Sequence, residues 1–310
     1  EGTGLTSPVG LRSAPSAALV QPAATRGEWT ADTRNTWNDN DGEPRIQFNL
    51  RTSAGDSRWG FGVRLRDLAG LPPAALANMA NDVQFSWTRE PGTFRFSGAF
   101  DQGRGSGTYT FTADQTFVNN MAGAGYRNLS ADDIVRLAVI DVTLAHVRGL
   151  AQAGYPNLSL DDMVRTRIHR VTPEFVRDLA AVGYQGVGVD DLVRMGIHGA
   201  TPANIRALQA QGIRGLSVDE LIKFRIHKVT PEFIRDLKSA GFENLKFREL
   251  VEARIFKVDS QYAKDVEAMG FGRQPLKKLV EMRIHKITPE FIREMKAAGF
   301  ENLSLKELNE

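Results

Sequence analysis

Seven glycines fall at one spacing: Gly125, Gly154, Gly183, Gly212, Gly241, Gly270 and Gly299, each 29 residues after the one before. A chain that returns to the same signal at such a period is made of supersecondary units, and units of this kind stack on one another. The stretch 171–216 shows one and a half of them. Thr172-Pro173-Glu174 opens a helix. The hydroxyl caps free backbone N–H groups, proline at the first helical position loses no hydrogen bond, and the carboxylate sits at the positive end of the dipole. Thr201-Pro202, Thr230-Pro231 and Thr288-Pro289 repeat the signal, while Asp114, Thr143 and Asp259 keep the cap without the proline. Phe175, Val176 and Leu179 then form a one-sided stripe.

Gly183 is read as the stop, because a left-handed residue there is cheap only for glycine. Leu179 and Tyr184 are the hydrophobic pair expected around such a stop, and Leu208/Ile213, Leu237/Phe242 and Met295/Phe300 repeat it. A second, shorter helix starts at Ser217 and at its equivalents Ser130, Ser159 and Ser304. Ser217-Val218-Asp219-Glu220 is a capping box, with Leu221, Ile222 and Ile226 as the apolar face behind it. A His-Lys-Val link leads to the next unit. Helices of about ten residues are marginal alone, so each must bury its stripe on a neighbour. Residues 114–310 are therefore expected to form a right-angled or curved α-solenoid.

The first third has another character. Residues 1–25 are rich in Ala, Pro, Ser, Thr and Gly without periodicity, as in a flexible leader, or an arm that adds to another subunit's sheet or surface. Residues 26–113 hold all four tryptophans and no lysine. Apolar and polar residues alternate at Ile46–Leu50, Phe61–Leu65, Val83–Trp87, Phe94–Phe96 and Tyr109–Phe111, the mark of half-buried antiparallel strands. Glu90-Pro91-Gly92-Thr93 is a tight turn, the glycine cluster 103–107 a looser one, and 71–81 contains a short helix. The expected fold is thus α+β and multidomain. An antiparallel β domain of five or six strands, sandwich or curved sheet, precedes about seven two-helix repeats. The last strand runs almost directly into the first repeat, so the β domain is expected to cap the solenoid's N-terminal end.

Net charge is +2, which as a total gives no strong pull towards nucleic acid or anionic membrane. With no cysteine, disulfides and thiol chemistry are excluded. No apolar run reaches the length of a membrane span. The missing initiator methionine leaves room for an upstream piece such as a signal peptide. Lysine first appears at Lys223, and from there Lys and Glu replace Arg and Asp on the repeats.

Candidate sites each have a structural counterpart. His169, His198, His227 and His285 share one repeat position, with Phe256 in the remaining slot. The row suits metal binding or pH sensing, yet a spacing of about 10 Å between stacked helices favours histidines of the link. The acid pairs Asp132/Asp133, Asp161/Asp162, Asp190/Asp191 and Asp219/Glu220 suit general acid/base work, but they sit where capping and the dipole favour acids anyway. Arg148, Arg177, Arg206, Arg235, Lys264 and Arg293 form a cationic row, flanked by Arg167, Arg225, Arg254 and Arg283. It suits an acidic protein partner or an anionic glycan, while Asp178, Asp236 and Glu294 beside it suit inter-repeat salt bridges. Residues 38–43 resemble a calcium loop, but Trp37 and Phe48 fill the terminal ligand positions of an EF-hand, so that match fails. Asn128, Asn157 and Asn302 head formal glycosylation sequons that are also the loop and cap of the repeat. Metalloprotease, Walker, nucleophile-elbow and dinucleotide motifs are absent, and no cofactor is expected.

Residues 105–114, Gly-Ser-Gly-Thr-Tyr-Thr-Phe-Thr-Ala-Asp, lead into Phe117 and Gly125-Tyr126 and then into Thr-Pro-Glu-Phe-Ile-Arg-Asp-Leu…Ala-Gly-Phe units. This pattern, over about residues 40–310, resembles the C-terminal extracytoplasmic region of some bacterial beta-lactam-sensor-type regulatory membrane metallopeptidase proteins. That family's zinc motif and membrane helices are absent from the chain, so no catalytic residue carries over. The resemblance implies a bacterial, secreted or periplasmic module for sensing or interaction. The expected function is a non-enzymatic repeat scaffold for a protein partner or ligand. The alternative is a structural subunit that assembles into a filament or surface array through head-to-tail contacts and the 1–25 arm.

Overall fold

The computed structural model describes residues 24–33, 45–53 and 57–300. The 1–25 arm (but for its last two residues), the calcium-loop candidate at 38–43 and the terminal helix expected from Ser304 lie outside them. The chain divides into two compact units, Glu1–Thr143 and Leu144–Glu310.

The first unit holds strands β1 (Thr25–Asp32), β2 (Arg45–Thr52) and β3 (Arg58–Arg64), then the short helix α1 (Pro73–Ala77). Strands β4 (Ala80–Arg89), β5 (Gly92–Asp101) and β6 (Arg104–Ala113) follow, and then α2 (Gln115–Gly123) and α3 (Ala131–Ile140). All six strands form one antiparallel sheet in the order β3-β2-β1-β6-β5-β4. It is a curved sheet and not a sandwich. Trp29 stands opposite Gly107, and Gly107 opposite Gly98. A Cβ on Gly107 would strike the carbonyl oxygen of Ser97, and one on Gly98 that of Ser106. Without side chains at this cross-strand pair the backbones close together and the sheet bends. The Trp29 indole fills the hollow side. Its Nε1 donates to the Ser97 carbonyl at 3.2 Å, and its ring meets Phe85 and Phe96 edge-on.

The hollow is closed by a helix. Ile134, Val135, Ala138 and Val139 of α3 join one buried cluster with Trp29, Phe48 and Phe96. The second helix of the first 29-residue unit thus covers the sheet together with the short helix α1, whose Ala75 belongs to the same cluster. The glycine cluster also differs from its reading as a turn. The turn is Gln102-Gly103, with φ of 44° and 82°, and residues 104–107 are already in β6. Gly105 is needed there because a Cβ would run into the rings of Phe100 and Trp29.

The second unit is helical. In chain order it contains α4 (Leu144–Gln152), α5 (Leu160–Ile168), α6 (Pro173–Ala181), α7 (Val189–His198), α8 (Pro202–Ala210) and α9 (Val218–Ile226). It continues with α10 (Pro231–Ser239), α11 (Phe247–Ile255), α12 (Ser260–Val266), α13 (Leu276–Ile284) and α14 (Pro289–Ala297). The caps fall where the sequence puts them. Thr172 and Thr230 accept from the N–H of Phe175 and Phe233 at 3.1 and 3.2 Å, and Asp259 from that of Tyr262 at 2.8 Å. At Gly183, φ is 99°, and the two backbone bonds of the expected stop run from Tyr184 to Leu179 and from Gly183 to Ala180. Alternate helices pack together, α5 on α7, α7 on α9, α9 on α11 and α11 on α13, with α4, α6, α8, α10 and α12 forming a second series.

One face was misassigned by the stripe rule. In α9 the buried residues are Leu221, Ile222 and Phe224, whereas Ile226 is 53 % exposed. Residue 226 is the last of its helix, past the point where the neighbouring helix covers the stripe.

Candidate binding surfaces

The cationic row is on the surface. Arg148, Arg177, Arg206, Arg235, Lys264 and Arg293 recur on α4, α6, α8, α10, α12 and α14, and all six are exposed. Several carry acids beside them. Arg177 pairs with Glu174 at 2.6 Å and Arg293 with Glu290 at 2.7 Å, each one helical turn away. Arg206 reaches back to Asp178 of the preceding unit at 3.5 Å. The Glu232 carboxyl is held low first by a backbone hydrogen bond, then by Thr230, with nearby Arg235 a smaller cause. Such exposed pairs are worth about 0–1 kcal/mol each, so they set the surface pattern more than the stability.

The flanking arginines are used within the fold. Arg225 Nε donates to the His198 carbonyl at 3.2 Å. The Arg254 guanidinium lies 4.9 Å from the Phe233 ring centre, and that of Arg283 lies 3.7 Å from the Tyr262 ring. Asp236 accepts from both the N–H and the hydroxyl of Ser260.

The acid pairs serve helix starts and unit-to-unit bridges. Asp133, Asp162 and Glu220 accept from the hydroxyls of Ser130, Ser159 and Ser217 at 2.7, 2.8 and 3.1 Å. Asp190 takes Arg165 at 2.8 Å, and Asp219 takes Arg194 at 2.6 Å, in each case across to the next unit. His169, His198, His227 and His285 sit at the ends of α5, α7, α9 and α13, with Phe256 at the same place after α11. Among the described residues, no three His, Asp or Glu side chains gather as a metal ion would need.

A fifth histidine is of another kind. His146 is buried on α4, with Nε2 3.1 Å from the Thr166 hydroxyl, which itself donates to the Met163 carbonyl. Burial pushes its imidazole down to about 4, Arg167 adds to this, and Glu174 opposes it. The equivalent positions are Phe175, Asn204, Phe233, Tyr262 and Phe291, so this unit has one half of a polar pair where four of those have an aromatic ring.

Two features escaped the sequence reading. The second helices also end on left-handed stops, with Arg170, Lys228, Lys257 and Lys286 at φ of 59°, 55°, 55° and 57°, where only Gly199 is a glycine. The backbone bonds Val171 to Thr166 and Val229 to Phe224 close them. The signal was present as a buried Val, Ala or Ile two or three residues past the helix end, but without glycine it read as a plain link. The other feature is a row of exposed isoleucines: Ile168, Ile197, Ile226, Ile255 and Ile284 are 47 to 53 % exposed, each closing a second helix. A cleft of about 420 Å³ at β1, β2 and β3 is lined by Glu28, Trp29, Leu50, Arg51, Arg58 and Trp59 among others. No protein-family model, no curated protein and no solved structure matches this chain.

Proposed function

We propose that the chain is a non-enzymatic repeat scaffold: an α-solenoid whose exposed rows present repeated contacts to a partner along its length. The observation that carries this reading is the constant register of bonds between units. Tyr155 and Tyr184 donate their hydroxyls to Val187 and Leu216, both 32 residues on and both at 2.6 Å. Gln209, Arg225 and Lys238 each reach a carbonyl 27 residues back, at Val182, His198 and Gln211. Bonds that repeat with the sequence period tie each unit to its neighbour, which is how a stacked array gains stability from nearest neighbours alone.

The resemblance to extracytoplasmic regions of bacterial regulatory membrane proteins supports an extracytoplasmic setting and a role in sensing or interaction, and the exposed cationic row suits a protein or anionic-glycan partner. Small-angle scattering tests the stacking: a maximum dimension that grows with each added repeat is expected, and one that does not grow overturns the solenoid. Calorimetry with heparin tests the row. Weaker uptake by R177E/R206E/R235E is expected, and unchanged uptake removes those residues from the site. Turnover in a hydrolysis screen would overturn the non-enzymatic reading.

A further inference from the structure

We propose that the isoleucine row docks the second unit on an anionic lipid surface. The proposal rests on the stacked reading above only for the units being in register. Ile168, Ile197, Ile226, Ile255 and Ile284 recur at the period of the repeat, and each is about half exposed. Packing does not explain their constancy. Two residues earlier, at a buried position, the same helices carry Thr166, Met195, Phe224, Ala253 and Met282. The buried position varies and the exposed one stays isoleucine, the reverse of what a core alone would require. Isoleucine is also a poor choice for an exposed helical position on conformational grounds.

The chemistry around the row selects the surface. Arg170, Lys228, Lys257 and Lys286 stand two residues past the isoleucines, exposed and in the left-handed region that favours glycine. The helix dipole accounts for a cation at that end; it does not account for the apolar neighbour. No Asp or Glu occurs in residues 167–170, 196–199, 225–228, 254–257 or 283–286. The nearest acids downstream in sequence, Glu174, Glu232, Asp259 and Glu290, open the following helices: Asp259 is turned to its own helix start, accepting from the Tyr262 N–H, and Glu174 and Glu290 are paired with Arg177 and Arg293. Branched aliphatic tips among lysines and arginines are the composition of an interfacial anchor. The net charge of +2 hides this local excess. The near-equal exposure of all five residues favours a flat surface that meets every one alike over a peptide seated in a graded groove. A second copy laid row against row would bring cation to cation.

The test is sedimentation of the full chain with vesicles of phosphatidylcholine alone, or of equal parts phosphatidylcholine and phosphatidylglycerol. Partition to the anionic vesicles only, lost in high salt, is expected. K228Q/K257Q/K286Q and I226S/I255S/I284S should each lower it by at least about tenfold, with unchanged melting. Because the chain has no cysteine, Ile226→Cys carries one polarity-sensitive dye, and Arg206→Cys gives a control on the other helix series. A blue shift on anionic vesicles at residue 226 and not at 206 supports insertion. No partition, equal partition of the serine variant, or equal shifts at both labels overturns the proposal. Binding of a soluble polyglutamate peptide without vesicle binding assigns the row to an acidic polypeptide and overturns it too.

Discussion

The ring of Phe61 on β3 stacks on that of Trp87 on β4, with centroids 4.9 Å apart and planes 13° from parallel, although these strands are the two edges of the sheet. The segment after β3 reinforces the approach, since Ala69 and Ser86 exchange backbone hydrogen bonds at 2.9 and 2.8 Å. The sheet curls until its ends meet over the core, and exposed edge strands are thereby reduced. Phe61→Ala removes the stack from a half-buried site and should cost about 2–3 kcal/mol. The denaturant midpoint and the near-ultraviolet dichroism of the tryptophans check this. A loss under about 0.5 kcal/mol would show that the edges close without the rings.

His146 makes stability depend on pH. Its imidazole titrates at about 4 in the folded chain and near 6.5 in an unfolded one. The unfolded chain therefore binds more protons between these values. The contribution is fully present above pH ~6.5 and is lost as pH falls towards 4, on the order of 3 kcal/mol in all. The double variant H146F/T166M installs the Phe175/Met195 pair of the next unit and should abolish this fall. Urea midpoints of both proteins across that range decide it, and parallel profiles would exonerate His146.

Helix starts give a small, local prediction. The Thr230 hydroxyl caps α10 by accepting from the Phe233 N–H at 3.2 Å. Thr230→Ala should cost about 1 kcal/mol, with Thr230→Ser close to neutral. Hydrogen exchange should rise in the first turn of α10 and leave α5 unaffected.

A charge mismatch lies between α9 and α11. Arg165 and Arg194 each meet an aspartate of the next unit, Asp190 and Asp219. One repeat further on, the corresponding residues are Lys223 and Arg248, both cations and both exposed. Beyond them the order is inverted, Glu252 and Lys277. Arg248→Asp restores the pattern of the earlier units and should raise stability by about 0.5 kcal/mol, an effect that salt should erase. A destabilised variant at low salt would show that Arg248 serves something other than the junction.

Much of the helical half is legible from local chemistry. Threonine and proline at Thr172-Pro173, glycine at Gly183 and the box at Ser217/Glu220 act within one turn of backbone, so the sequence states them directly. Strand β1 shows the opposite. Its inward residues are Gly27, Trp29 and Ala31, too little apolar surface to show as alternation, yet it pairs with both β2 and β6 at the middle of the sheet. Only the curvature allowed by Gly98 and Gly107 makes its single indole sufficient. The exposure of Ile226 was likewise beyond the stripe rule, because periodicity gives the side of a helix and not how far along it the neighbour reaches. The sequence by itself determined where the first helix of a repeat begins and ends, since its Thr or Asp cap and its glycine stop are local. The tertiary structure alone decided which apolar residues are covered, because burial depends on what packs alongside.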